Sequence, residues 1–187
     1  MFKIRYKPNM DEDTLKNLSL DAFINERGGD ITGHILLEFN GSTVGYYEDD
    51  LNLDMFEELL VCWFDLLNET ADFLVKHDNV GLKLIENSTD WVLFEKRDDD
   101  KLIVSYVAKS TSSRLEKYVI TGKLIDIDNY YWKEEEILMK HFQSEVVEVT
   151  EEFIGSIRKC NPSLLSSPTF ASLLEFLSIN KKSLEKK

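Results

Sequence analysis

The chain has 187 residues, a length typical of a single domain. Apolar residues make up 43% of it and aromatic residues 11%, which excludes a disordered chain. There are 35 acidic and 22 basic residues, and the resulting net charge of −13 disfavours a nucleic-acid partner, because the chain and a phosphate backbone repel each other.

The first residues alternate between charged and apolar side chains, so they do not form the continuous apolar stretch of a signal peptide. The longest strongly apolar run, residues 59–64, is too short to span a membrane. Cys62 and Cys160 do not form a Cys-x-x-Cys pair, and we expect two free thiols. These features predict a cytoplasmic protein with no membrane contact.

Alternating side chains in the first quarter of the chain predict β-strands. Residues 2–6 place apolar and charged side chains on opposite sides, as in a half-buried strand. Residues 11–30 fit either a strand or a short helix, and the pattern leaves both open. The apolar run at residues 31–39 leads into Asn40-Gly41, which predicts a tight hairpin turn and a second strand over residues 43–47.

The strongest helix signal covers residues 54–76. Asp54, followed three positions later by Glu57, resembles a capping box at the start of a helix. Lys76 and His77 are suited to its C-terminal end, where the helix dipole is negative. One apolar face recurs at three- and four-residue steps: Phe56, Leu59, Leu60, Trp63, Leu67, Ala71 and Leu74.

Strands and helices follow one another in separate blocks in the rest of the chain. Residues 80–124 read as an antiparallel meander whose last strand is residues 115–124. Residues 131–159 read as a long helix, and the alternative, a strand over residues 146–149, is less favoured because an apolar stripe continues through it. The members of that stripe are Met139, Phe142, Val146, Val149, Phe153 and Ile157.

The end of the chain predicts a short final helix, because Ser167-Pro168 supplies a cap and a first-turn proline. The basic tail, residues 181–187, is expected to be frayed, and residues 1–180 to form one domain. The predicted fold class is α+β, with an antiparallel sheet (hairpin plus meander) packed against a central helix, a long C-terminal helix and a short final helix.

Residue spacings of known catalytic and metal-binding motifs are not found. His34, His77 and His141 lie in unrelated elements, without the spacing that places two metal ligands on one helix face. Residues 126–129 resemble the opening of a calcium loop but lack its glycine and its final glutamate. We therefore expect no catalytic residues, no metal and no cofactor. An enzyme that uses dispersed carboxylates, with or without a divalent metal, remains an alternative.

Negative charge is concentrated in one half of the chain. Residues 11–100 hold 23 acidic and 6 basic side chains, whereas residues 101–187 are nearly balanced. Such a field favours capture of a basic protein, and aromatic side chains beside carboxylates are suited to anchoring it. The predicted partner-binding residues are Tyr46, Tyr47, Glu48, Asp49, Asp50, Asp98, Asp99, Asp100, Asp128, Tyr130, Tyr131 and Trp132.

The order of elements over residues 31–108 resembles small acidic immunity proteins of bacterial polymorphic and contact-dependent toxin systems. The resemblance rests on the Asn-Gly hairpin, on the helix around Trp63 (Met55 to Leu67), and on the segments Trp91 to Phe94 and Leu102 to Val104. It implies a cytoplasmic α+β protein that blocks a cognate toxin, often a basic nuclease, by occupying its active-site surface. It implies no catalytic residues.

These observations predict a non-enzymatic acidic binding protein, an immunity protein or inhibitor that neutralises a basic toxin by surface occlusion. A scaffold or regulatory subunit is a further alternative, in which the helix over residues 131–159 packs on another chain. The sequence leaves the oligomeric state open.

Overall fold

The computed structural model describes residues 1–47, 57–87, 89–98, 100–110 and 117–185. These residues form two antiparallel sheets and five α-helices, and the α+β fold class is confirmed. In chain order the elements are β1 (Phe2–Pro8), α1 (Glu12–Asn17), α2 (Leu20–Glu26), β2 (Thr32–Phe39), β3 (Ser42–Tyr46), β4 (Glu58–Leu59), α3 (Leu60–Lys76), β5 (Asn79–Lys83), β6 (Asp90–Asp98), β7 (Lys101–Ala108), β8 (Val119–Thr121), β9 (Asn129–Leu138), α4 (Met139–Cys160), a 3-10 turn (Pro162–Ser166) and α5 (Pro168–Glu185).

Strands β1 to β4 form one sheet, which we call sheet A, with the order β1-β2-β3 and with β4 also paired to β2. The predicted hairpin is confirmed. Asn40 and Gly41 have φ values of 52° and 104°, the positive range that a two-residue turn requires. The ambiguous segment, residues 11–30, forms two short helices, whose first turns are capped by the side chains of Asp11 and Ser19.

Strands β5 to β9 form the second sheet, sheet B, with the order β8-β5-β6-β7-β9. The predicted meander is present in β5, β6 and β7. Of the strand predicted over residues 115–124, residues 115 and 116 lie outside the described residues, and the rest of the prediction is wrong in extent and place: β8 has three residues and pairs with β5, at the far edge from β7. Pairing between strands distant in sequence depends on the whole sheet, which local alternation does not encode.

The prediction of a helix over residues 131–159 is wrong at its start. Residues 129–138 form β9, which pairs with the open edge of β7, and α4 begins at Met139. Two register shifts interrupt the pairing of β9 with β7, and Glu134 has a positive φ of 65°. From Met139 onward the helix prediction is confirmed, including residues 146–149, and its apolar stripe is buried in the interior.

Helix α3 begins later than predicted and is capped from another part of the chain. Asp54 lies outside the described residues, Glu57 precedes the helix, and the helix starts at Leu60. The Asp30 carboxylate accepts hydrogen bonds from the backbone N–H groups of Val61 (2.8 Å) and Cys62 (2.9 Å). Pairing of β2 with β4 brings Asp30, which lies just before β2, to the start of the helix.

The three long helices are joined by a buried polar network. The amide of Asn68 in α3 donates to Thr150 of α4 (2.8 Å), and the amide of Asn180 in α5 donates to the backbone and side-chain oxygens of Asn68. All three side chains are buried. The network satisfies polar groups that would otherwise be costly inside an apolar core.

The final helix is longer than predicted. Of the tail at residues 181–187, expected to be frayed, residues 181–185 continue α5, and residues 186 and 187 lie outside the described residues. Lys181 forms an ion pair with Glu151 of α4. The confirmed part of the prediction is its start, where Ser167 precedes the first-turn residue Pro168. Among the described residues, no helix combines the length and the apolar character that crossing a membrane requires.

Candidate partner-binding surface

The two groups of predicted partner-binding residues in the second half of the chain lie at opposite ends of sheet B. Lys101, at the start of β7, pairs with Leu138, and Ala108, at its end, pairs with Asn129. Asp98 and Asp100 therefore lie at one end of the sheet, and residues 128–132 at the other, about 25 Å away at the rise of a β-strand. The structure does not bring them into one cluster.

Tyr130 and Tyr131 are exposed, whereas Trp132 packs against another part of the protein. Tyr130 and Tyr131 keep 43% and 50% of their surface accessible. The Trp132 ring packs 5.5 Å from the Phe39 ring, and its indole N–H donates to the backbone oxygen of Thr43 at 3.1 Å. Trp132 thus connects β9 to the hairpin of sheet A, and the two tyrosines are the aromatic residues of β9 with large exposed areas.

Tyr131 is held in place by a buried carboxylate. Its hydroxyl donates to Asp90 at 3.1 Å, and that of Tyr106 donates to the same carboxylate at 2.8 Å. The Tyr106 and Tyr131 rings lie 4.4 Å apart. Burial, followed by the hydrogen bond to Asp90, raises the pKa of Tyr106. An aromatic side chain fixed in this way loses little conformational entropy when a partner covers it.

The acidic residues of sheet B are partly engaged within the protein. Asp98 and Asp100 are exposed at the turn between β6 and β7, beside Lys101, which pairs with Glu136 at 2.8 Å. Asp128 accepts a hydrogen bond from the backbone N–H of Ser110, and that bond holds the pKa of Asp128 below its usual value. Asp99 lies outside the described residues.

The aromatic pair that ends β3 packs against sheet A. Tyr46 makes an edge contact with His34, with the ring centres 5.6 Å apart, and the Arg5 guanidinium lies 4.1 Å from the centre of the Tyr47 ring. Glu48, Asp49 and Asp50, which follow directly, lie outside the described residues.

A groove on the outer face of β6, β7 and β9 links the two ends of sheet B. It has a volume of about 430 Å³ and an apolar floor formed by Leu93 and Ile103. Tyr130 lies at one end, and Arg97 and Glu136, 3.6 Å apart, lie toward the turn between β6 and β7. Of the predicted partner-binding residues that the structure describes, Tyr130 is the one that lines this groove.

The structure also reveals an acidic surface that sequence analysis missed. Glu58 lies in β4, directly before α3, and Asp65 and Glu69 lie on α3; we call these three residues the α3 acidic row. Among the described residues, none of the three forms an ion pair within 4.0 Å. The four-residue step from Asp65 to Glu69, which places two side chains on one helix face, was visible in the sequence, but whether these carboxylates find ion-pair partners depends on packing.

The pKa values along the α3 acidic row are raised. Burial is the main cause for Glu58, Asp65 and Glu69; repulsion by neighbouring carboxylates adds to it for Glu58 and Glu69, and the charge of Lys117 offsets part of it for Glu69. The thiol of Cys62 lies on the same side, and burial together with three nearby carboxylates raises its pKa to about 12. This side of α3 therefore has a negative potential that disfavours further negative charge.

Replacing Asp65 by asparagine is expected to flatten the pH dependence of stability. Because its pKa is raised in the folded state, ionisation of Asp65 destabilises the fold as the pH rises through that pKa. The wild type should therefore gain stability on acidification toward the usual value of 3.8, and Asp65→Asn should lose that gain and be more stable at neutral pH. Urea unfolding at a series of pH values between mildly acidic and neutral measures this difference.

The matched control for this prediction is Glu148→Gln, an exposed position on α4. It should follow the wild-type profile. An Asp65→Asn profile parallel to that of the wild type would contradict the assigned cause.

Comparison of the chain with protein-family models, with curated proteins and with solved structures gives no match. In the part of the chain that the structure describes, no three His, Cys, Asp or Glu side chains are grouped so that they could hold a metal ion.

Proposed function

We propose that this protein is a non-enzymatic, acidic binding protein that captures a basic protein partner and occludes its surface, as an immunity protein does to its toxin. The observation that carries the proposal is the concentration of negative charge in residues 11–100, with 23 acidic and 6 basic side chains. Close packing of like charges destabilises a folded chain, and a cationic partner surface relieves that repulsion.

Two surfaces support this proposal. The α3 acidic row holds carboxylates whose pKa values are raised mainly by burial. The exposed ring of Tyr130 lines the groove of sheet B, and the exposed ring of Tyr131 is held by its hydrogen bond to Asp90; both offer rigid contact area. The carboxylates would attract and orient the partner, and the aromatic rings would contribute contact area after docking.

The scaffold alternative requires an apolar face of α4 that packs on another chain, but the apolar stripe of α4 is buried within this chain. Its members, from Met139 to Ile157, pack in the interior against neighbouring strands and helices. A partner would therefore have to use another face of the protein.

Neutralising the acidic clusters is expected to slow association with the partner. The protein, immobilised and exposed to a lysate of its host, should retain a basic protein that elutes with salt. The association rate of that purified partner should fall at least about tenfold at low ionic strength when charge is removed. Two variants remove it: Asp49→Asn/Asp50→Asn/Asp99→Asn/Asp100→Asn, and Glu58→Gln/Asp65→Asn/Glu69→Gln.

The control removes three acidic side chains from exposed positions outside residues 11–100: Glu148→Gln/Glu152→Gln/Glu175→Gln. It changes the net charge as much as the α3 variant does and should change the rate much less. The proposal would be overturned if the association rate of the partner changed neither with salt concentration nor in the two acidic variants.

A further inference from the structure

A cavity of about 310 Å³ lies between the start of α3 and the start of α5, beside the α3 acidic row. Val61 and Pro168 form apolar parts of its wall. Asp30, Asp65, Thr169 and Ser172 contribute polar groups, and Cys62 also lines the cavity. The cavity thus combines two carboxylates, two hydroxyl groups and apolar contact area.

The backbone donors at the start of α3 are already used. The N–H groups of Val61 and Cys62 both donate to Asp30, at 2.8 and 2.9 Å. A helix start of this kind can bind an anion only through free N–H groups, and here the Asp30 carboxylate takes that place. The cavity is therefore not suited to an anionic ligand.

The hydroxyl hydrogens of the wall are also used. Thr169 donates to the backbone oxygen of Gly29 at 2.6 Å, and Ser172 donates to Asp65 at 3.1 Å. Because the Thr169 hydrogen is used in this way, the Ser167 hydroxyl is the donor in its 3.0 Å contact with Thr169. The Thr169 oxygen therefore accepts one hydrogen bond and can accept one more. The polar part of the wall thus offers acceptors, and it is complementary to a ligand that brings hydrogen-bond donors.

Both oxygens of Asp30 accept backbone hydrogen bonds, so Asp65 provides the carboxylate with an unused oxygen. One of its carboxylate oxygens accepts from Ser172, and the other is buried and has no hydrogen-bond partner among the residues that the structure describes. A buried carboxylate oxygen without a partner is costly unless the group is protonated or paired with a cation. A donor-rich cation next to Asp65 would remove that cost.

We infer that this cavity binds a primary alkylammonium group, namely a lysine side chain of the basic partner, an inference that rests on the proposed function. The three N–H donors of an ammonium match Asp65, Ser172 and Thr169, and the alkyl stem contacts Val61 and Pro168. A compact ammonium on a flexible stem fits such a cavity better than the wide, planar guanidinium of arginine.

Titration with n-butylammonium chloride tests the inference without the partner. The methyl and amide NMR signals of Val61 and Thr169 should shift in a saturable way. n-Butanol, which has the same stem without the charge, should bind at least about tenfold more weakly, as should n-butylammonium to Asp65→Asn, because a charged hydrogen bond is lost in each case. Affinity should rise with pH as Asp65 ionises.

Glu148→Gln, on the exposed side of α4, is the matched control and should bind the probe like the wild type. Ser172→Ala is the second variant. It removes one neutral acceptor and should weaken binding about threefold. Binding that is equal in Asp65→Asn and the wild type, or the absence of a saturable shift at the cavity, would overturn the inference.

This test separates the inference from the proposed function. If n-butylammonium fails to bind while the acidic variants still slow the partner, then the cavity assignment is wrong and the proposed function stands. If the probe binds but the partner ignores the acidic variants, then the cavity takes alkylammonium ligands from another source and the proposed function is wrong.

Discussion

Replacing Phe153 by alanine is expected to lower the free energy of unfolding by about 3–5 kcal/mol, the upper range for a single substitution in a protein core. Phe153 is fully buried in α4, and its ring lies 4.8 Å from that of Phe64 in α3 and 6.2 Å from that of Phe170 in α5. The Tyr6 ring of β1 meets it edge-on at 5.7 Å. Its removal would leave a cavity where four elements meet.

Urea unfolding monitored by tryptophan fluorescence measures this loss. Phe153→Leu, which keeps most of the volume, should cost about 1 kcal/mol. A loss for the alanine variant as small as that of the leucine variant would show that the surrounding rings close the gap, contrary to the packing around Phe153.

Replacing Asp30 by alanine is expected to lower the free energy of unfolding by about 3 kcal/mol. The substitution leaves the N–H groups of Val61 and Cys62 without their acceptor, and it also removes the bond that Asp30 accepts from the Ile31 N–H at 2.7 Å. The loss should exceed that of an exposed cap because Asp30 is buried and its carboxylate bridges two distant segments.

Asp30→Asn is the informative companion, because its side-chain oxygen retains one acceptor. Its cost should be about half as large. Amide hydrogen exchange adds a local readout: in Asp30→Ala the first turn of α3 should exchange faster than the middle of the helix. Equal unfolding free energies for the alanine variant and the wild type would contradict the capping role.

Local patterns in the sequence account for much of the fold. Alternation predicts β1 and β2, Asn40-Gly41 predicts the turn between β2 and β3, and the apolar stripe predicts α4 from Met139 onward. Each of these signals lies within a few residues of the element that it specifies. They are also elements whose side chains face the core, so their pattern reflects burial directly.

The features that sequence analysis missed are non-local. The helix prediction for residues 131–138 failed because β9 is an edge strand, in which most side chains are exposed and no apolar alternation develops. The place of β8 depends on β5, and the cap of α3 comes from Asp30, which lies 31 residues before Val61. Such contacts between distant segments depend on the packing of the whole folded chain.

The candidate surface was predictable only in part. The aromatic group at residues 130–132 was visible in the sequence. The directions of its side chains, with Trp132 packed on Phe39 and Tyr130 exposed, depend on the two register shifts of β9. The repeat of acidic residues on α3 was also visible. The cavity beside Asp65 and the unpartnered oxygen of Asp65 both depend on how α5 packs against α3. A local sequence pattern does not specify that packing.

The irregular pairing of β9 has a consequence for how the protein behaves at high concentration. A regular, uncharged outer strand is a template on which a second molecule can add its own strand, and chains of such additions lead to aggregates. Two register shifts and four consecutive charged residues, 133–136, make β9 a poor template. The long edge strand of sheet B is therefore not expected to promote aggregation by strand addition.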